Sequence, residues 1–242
     1  MGKKALVLSS GGIDSTTCLA MAVAELGRKN VASITIFYGQ KHKVELRAAH
    51  DVAKYYGIRQ YEFDLSKIMQ FSNCALLAGS TKDVILSSYK DQIAENGDVI
   101  GTYVPFRNGL MLSTAASLAQ SLYEKDTCDL YIGAHKDDAT GNAYADCSVP
   151  FLEHIGQAIA IGTYDRVHLA SPFANLNKAA VVACGLKLKA PYHLTWSCYM
   201  GGIAPCGECA TCRDRAAAFA ANGVLDPALH HPHQENSHAK DQ

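Results

Sequence analysis

Two stretches of this 242-residue chain carry residue types at spacings that can do chemistry. The first is Leu8-Ser9-Ser10-Gly11-Gly12-Ile13-Asp14-Ser15-Thr16, which continues the apolar run Ala5-Leu6-Val7. Its two glycines let backbone N–H groups approach an anion with no Cβ in the way. The residues after it, 18–26, read as a helix, whose start supplies orphan N–H donors and a partial positive charge. Ser9, Ser10, Ser15 and Thr16 add hydroxyl donors. A strand, a tight turn and a helix N-terminus with these groups make a phosphate cradle. No Gly-Lys-Ser/Thr follows, so it is not a Walker A loop, and the third glycine of a dinucleotide fingerprint is missing. The plainer reading of the same residues is a turn with Asp14 or Ser15 as helix N-cap.

The second stretch holds Cys198, Cys206, Cys209 and Cys212, four of the nine cysteines. Four thiolates close a tetrahedral site, which is how structural zinc is held. A Cys-x2-Cys-x2-Cys run also serves four-iron clusters, which makes an iron–sulfur centre the rival. With no secretion signal, disulfides are the weaker reading. Cys18, Cys74, Cys128, Cys147 and Cys184 are scattered in apolar settings and read as free buried thiols.

Positioning these groups requires a scaffold. Residues 31–38, 59–65, 129–133 and 167–170 read as strands, with helical patterns between them. The expected fold is α/β, a doubly wound parallel sheet of about five strands. Arg107 and Asn108 precede a helix at 110–122, where an Arg can meet a phosphate or carboxylate; the plainer alternative makes Asn108 a cap and Arg107 a surface ion pair. Asp137 follows the strand at 129–133, where α/β sheets place ligand contacts, and Asp146 lies in the polar segment beyond. Lys178 sits in the first turn of a helix at 177–184 that Gly185 ends; it is a phosphate contact or a solvated lysine. The expected organisation is an ATP-binding domain at 1–190 with a mobile insertion at 71–102, a metal-binding region at 191–225 and a disordered polar tail at 226–242. A net charge of −1 speaks against a nucleic-acid footprint. The absence of a long apolar run speaks against a membrane, and reduced cysteines point to the cytoplasm.

The segment SGGIDS at 10–15 resembles the pyrophosphate loop of the ATP pyrophosphatases, which split ATP to AMP and pyrophosphate. With VPFRNGLMLSTAASLA (104–119), IGAHKDD (132–138), Tyr144-Ala-Asp-Cys147 and TWSCYMGGIAPCGECATCRDRAAAF (195–219), the chain resembles the 7-cyano-7-deazaguanine synthases over about 4–225. The resemblance implies an adenine nucleotide alpha hydrolase-like fold and an ATP-dependent C–N ligase of queuosine biosynthesis. That enzyme activates 7-carboxy-7-deazaguanine, adds ammonia to form an amide, then activates the amide to leave a nitrile, preQ0. It also implies ATP, Mg²⁺, one structural Zn²⁺ per subunit on the four cysteines, and a homodimer. On that resemblance residues 8–16 hold ATP and Asp14, Ser15, Arg107, Asn108 and Lys178 are catalytic. Arg107, Asp137 and Asp146 contact the deazaguanine. Many members have Gly-Tyr-Pro-Asp-Cys where this chain has Asn142-Ala-Tyr-Ala-Asp-Cys147. That departure keeps open a relative that stops at the amide or joins the ring to another amine. A tRNA thiolase and a nucleotide-binding regulator are the readings from other classes.

Overall fold

The computed structural model describes residues 2–85, 100–139 and 143–230. Five parallel strands form one sheet in the order β3-β2-β1-β4-β5. They are β1 (Lys3–Leu8), β2 (Val31–Phe37), β3 (Arg59–Asp64), β4 (Thr127–Tyr131) and β5 (Val167–Ala170). The longer helices are α1 (Ile13–Leu26), α2 (Val44–Tyr56), α3 (Arg107–Leu122), α4 (Val149–Gly162), α5 (Lys178–Lys187) and α6 (Ala210–Ala220). This is the doubly wound arrangement read from the sequence.

Alternation along β1 sorts the core into two layers. Leu6 faces a cluster with Ile34, Leu130 and the apolar side of α3, where Leu112, Ala115, Ala116 and Ala119 recur at helical spacing. Ala5 and Val7 face the other cluster, with Ile13, Leu19 and Ala22 of α1, Val181 and Val182 of α5, and Phe219 of α6. Both faces of β1 are therefore covered, as a central parallel strand requires. From β1 the chain winds outward to β2 and β3, then returns to lay β4 on the opposite side of β1. The winding reverses between β1 and β4, and a ligand crevice opens beyond the carboxyl ends of strands at such a point.

The structure corrects several expected boundaries. Asn177 caps α5 by accepting from the Ala180 N–H at 2.9 Å, but the helix runs past Gly185 to Lys187. Gly185 serves a close approach instead of an ending. A Cβ there would lie 1.8 Å from the Tyr192 hydroxyl and 2.9 Å from Thr17 Oγ1. That hydroxyl is buried and hydrogen-bonded to Thr17 at 2.7 Å, so it has no room to yield. Gly185→Ala is expected to lower stability by about 1–3 kcal/mol, the range for overpacking a tight core. Urea denaturation reads this as a lower midpoint at unchanged slope.

The helix expected after Arg213 begins at Ala210, which puts Cys212 inside it and Cys209 at its cap. Within 71–102, residues 74–77 are buried, and the Lys41 N–H donates to Leu76 O at 2.8 Å, so this part is packed rather than draped over the surface. Residues 86–99 of that segment lie outside the described residues. Asp226 belongs to the folded body and not to a tail. Its carboxylate takes a bidentate pair of bonds from Arg215, at 2.6 Å from Nε and 2.8 Å from Nη2, with both side chains buried. Residues 231–242 are outside the described set.

Candidate active site

The loop between β1 and α1 bends back over the end of the sheet. Gly11 has φ +78°, and a Cβ on it would sit 2.4 Å from Glu45 O and 2.6 Å from Ala49 N. Only glycine fits both the left-handed backbone and the contact with α2. The Ser15 hydroxyl holds the turn closed, accepting from the Ser10 N–H at 3.2 Å and donating to Gly12 O at 3.3 Å. Neither Asp14 nor Ser15 caps the helix; Gly12 occupies that position without a side-chain bond. The first N–H groups of α1 are thus left to an external acceptor. Leu8, Ser9, Ser10, Gly12, Asp14 and Ser15 line a cleft of about 790 Å³. Ile13 and Thr16 of the same motif turn their side chains inward and are fully buried.

The end of β4 comes against this loop. A Cβ at Gly133 would stand 2.8 Å from the Asp14 carbonyl carbon, so a side chain there would push the two apart. Lys178 of α5 reaches across and ion-pairs with Asp14. Its Nζ is also 3.3 Å from His135 Nε2, which lies 3.4 Å from Asp138 Oδ1 and 3.9 Å from Asp14 Oδ1. Burial pushes the Asp138 carboxyl up, against the pull of His135 and Lys178. Asp137 accepts from the Lys178 N–H at 2.8 Å, which fixes the start of α5. Among the described residues, Asp14 Oδ1 and His135 Nδ1 are buried without a hydrogen-bond partner.

The third wall comes from α2 and α3. Phe106 sits in the left-handed region at φ 51°, an uncommon conformation for an aromatic residue, and this turn starts α3 directly at Arg107. The Arg107 guanidinium lies 5.3 Å from the Tyr38 ring centroid. Asn108 is not a cap but a strut. Its N–H donates to Asp146 Oδ2 at 2.8 Å, and its Nδ2 donates to Asp146 O at 3.2 Å and Cys147 Sγ at 3.1 Å. Asp146 is buried, its carboxyl pushed up by that burial, and it is not among the lining residues. The structure therefore spends this carboxylate on the start of α3, while Arg107, Asn108, Asp137 and Lys178 line the cleft.

The four clustered cysteines form a compact centre beside the cleft. Their sulfurs all lie within 4.8 Å of one another. A tetrahedral ion with metal–sulfur bonds of about 2.3 Å needs edges of roughly 3.8 Å, so one ion fits. Backbone N–H groups point at the sulfurs: Cys206 N to Cys198 Sγ at 3.3 Å, and Cys209 N to Cys206 Sγ at 3.3 Å. Such donors stabilise thiolates. Trp196 joins this centre to the loop, donating its N–H to Gly11 O at 2.9 Å and its indole N–H to Cys198 O at 2.8 Å.

The model of the family described as queuosine biosynthesis protein QueC matches residues 4–223. The chain belongs to the QueC family. Two relatives of the same kind support this. The 7-cyano-7-deazaguanine synthase of Archaeoglobus fulgidus is 38% identical over 227 residues, covering 93% of this chain and 90% of that protein. The 7-cyano-7-deazaguanine synthase of Oceanobacillus iheyensis is 37% identical over 231 residues, covering 93% and 97%. Among solved structures, the NMN synthetase of Francisella tularensis aligns with a TM-score of 0.46 and 15% identity, over 93% of this chain and 78% of that one. At that distance the likeness carries no functional argument.

In this QueC family member the cleft also includes Tyr38, Gln40, Glu45 and Asp214, for which the sequence holds no site signal. Glu45 and Tyr38 flank the turn after β2, and nothing in their local pattern distinguishes them from helix and strand surface. His135 and Asp138 did lie in a quoted motif, but only the approach of α5 gives them Lys178 as a neighbour.

Proposed function

We propose that the chain makes 7-cyano-7-deazaguanine from 7-carboxy-7-deazaguanine, ammonia and ATP, in queuosine biosynthesis. The observation that carries this reading is the junction of two sites in one cleft. A phosphate cradle at Ser10–Ser15 with Lys178 faces Arg107 and Asn108 at the start of α3, in a member of the QueC family.

A carboxylate is a poor electrophile until one oxygen is made into a leaving group. Transfer of AMP to that oxygen, with release of pyrophosphate, does this. Ammonia then displaces AMP to give the amide. Activation of the amide oxygen in the same way, and its loss with two protons from nitrogen, leaves the nitrile. Catalysis is mostly positioning and charge neutralisation. The N–H groups of residues 11–15 and the Ser10 hydroxyl bind phosphate oxygens. Lys178 exchanges its partner Asp14 for the phosphate undergoing attack. Asp14, whose Oδ1 accepts no hydrogen bond, would be the residue to hold Mg²⁺, and the ion would supply charge neutralisation on the phosphates. Arg107 takes the carboxylate of the ring substrate. Zinc on Cys198, Cys206, Cys209 and Cys212 is structural, because four thiolates leave no open position. The close sulfur spacing favours a single ion over a four-iron cube, whose ligands stand at separate corners. The enzyme works as a cytoplasmic homodimer.

Mass spectrometry of the product after incubation with 7-carboxy-7-deazaguanine, ATP, Mg²⁺ and ammonium tests the reading. The expected product is the nitrile. A product that stops at the amide would replace this reading with a family relative of altered outcome.

A further inference from the structure

The carboxylates of the cleft fall into two groups. Asp14, Asp137 and Asp138 gather around Lys178 and His135, each with a partner there, and Asp214 lies on the same side. Glu45 stands on the opposite wall, on the first turn of α2. Its Oε1 accepts from Gln40 Nε2 at 2.7 Å, and the buried Gln40 is itself fixed by accepting from the Tyr38 N–H at 2.9 Å. The Arg107 guanidinium lies over the Tyr38 ring, so Tyr38 stands next to both the Gln40–Glu45 pair and the cation. A carboxylate oriented by Gln40 and a guanidinium set over the Tyr38 ring thus line one cleft, linked through Tyr38.

We propose that Glu45 reads the N1–H and 2-amino donors of the deazaguanine ring while Arg107 takes the adjoining O6 and C7 carboxylate. The inference rests on the proposed reaction. A guanine-type ring carries these groups in one continuous order around its rim: carboxylate, O6, N1–H, 2-amino. Acceptors come first and donors second. Arg107 is the cation that matches the acceptor half, as Arg forks do at guanine. The donor half needs a carboxylate, and a carboxylate has four lone-pair sites, so the bond from Gln40 leaves Glu45 able to accept two more. Adenine does not match this wall, because its Watson–Crick edge pairs one donor with one acceptor. Burial disfavours the charged Glu45 in the absence of ligand, and the ring donors offset that cost when they arrive. Of the two carboxylates the resemblance puts at the ring, Asp146 is outside the lining and holds the start of α3, while Asp137 lines the cleft on the Lys178 side, across from Arg107.

The test compares 7-carboxy-7-deazaguanine with the analogue that lacks the 2-amino group, 7-carboxy-7-deazahypoxanthine. The native protein should prefer the amino form by about 10–100-fold in kcat/KM, the discrimination of a good bidentate pair. Glu45→Gln should raise KM for the guanine form by a similar factor, reduce the preference to about twofold, and leave KM for ATP unchanged. Glu45→Asp, which keeps the charge and withdraws it by one methylene, should fall between the two and serves if the Gln variant does not fold. Full discrimination retained by the variants, or a rise in KM for ATP in place of the ring substrate, would overturn the inference alone. No turnover of either ring by the native protein would overturn the proposed reaction and this inference with it.

Discussion

Lys178→Met is expected to lower kcat on the order of 10²–10³-fold, with the fold and the metal content unchanged. Three features of the site lead to that number. Lys178 is the cation that the start of α5 delivers to the phosphate loop, and Asp137 fixes the backbone that delivers it. In the resting site its charge is taken up by Asp14, with His135 beside it, so it needs no rearrangement of the fold to reach a phosphate in the same cleft. Its side chain is mostly withdrawn from solvent, 19% exposed, where a charge acts more strongly than in water. Methionine keeps the length and packing of the stem and removes only the ammonium. The loss should therefore appear in kcat more than in KM for ATP, since the backbone N–H groups of the loop still bind ground-state phosphates. Steady-state kinetics with circular dichroism and zinc analysis on the same sample checks this. A rate within tenfold of the native value would leave Lys178 as no more than a partner that holds Asp14 in place.

How far the sequence could be read follows from how local each signal is. The loop was legible because the strand, the two glycines, the hydroxyls and the helix start are consecutive, and the constraint at Gly11 is backbone geometry. The cysteine centre was legible because three of its four ligands fall within one turn and a helix start. The cap offered as the plainer alternative for Asn108 is a local signal, while its actual partner, Asp146, is supplied by a segment 38 residues away. Glu45 carried no signal at all. It becomes part of a site only when Gln40, Tyr38 and Arg107 converge on it, and Arg107 arrives from α3 on the far side of the sheet order. Gly185 was taken for a stop signal, and its true reason, the Tyr192 hydroxyl, is a tertiary contact. In each case an interaction within one turn was readable, and one closed by the winding of the sheet was not.

Cys206→Ser should abolish binding of the proposed zinc and lower the stability of the protein by on the order of 4 kcal/mol, the upper range reached when a structural metal is lost. For a chain of this size that corresponds to a fall in Tm of roughly 10 °C. The substitution keeps the shape of the site, but a neutral hydroxyl cannot replace a thiolate, and Cys198, Cys209 and Cys212 are then left as three thiols around no ion. Cys206 itself is exposed, so little of the loss comes from its own burial. The consequence should reach the active site through one residue. Trp196 packs against Cys198, Cys209 and Cys212, and its N–H holds Gly11 O. Loosening the metal centre frees that N–H and with it the turn that presents N–H groups to phosphate. The variant should thus bind ATP more weakly even below its own Tm, where it is still folded. Calorimetry with ATP at 15 °C, alongside metal analysis and a thermal melt, separates the parts. A metal-free variant that melts with the native protein would mean that packing around Trp196 holds this region without an ion. A variant that loses stability but binds ATP normally would mean that the contact from Trp196 to Gly11 survives the loss of zinc, and the metal then supports the fold without supporting the loop.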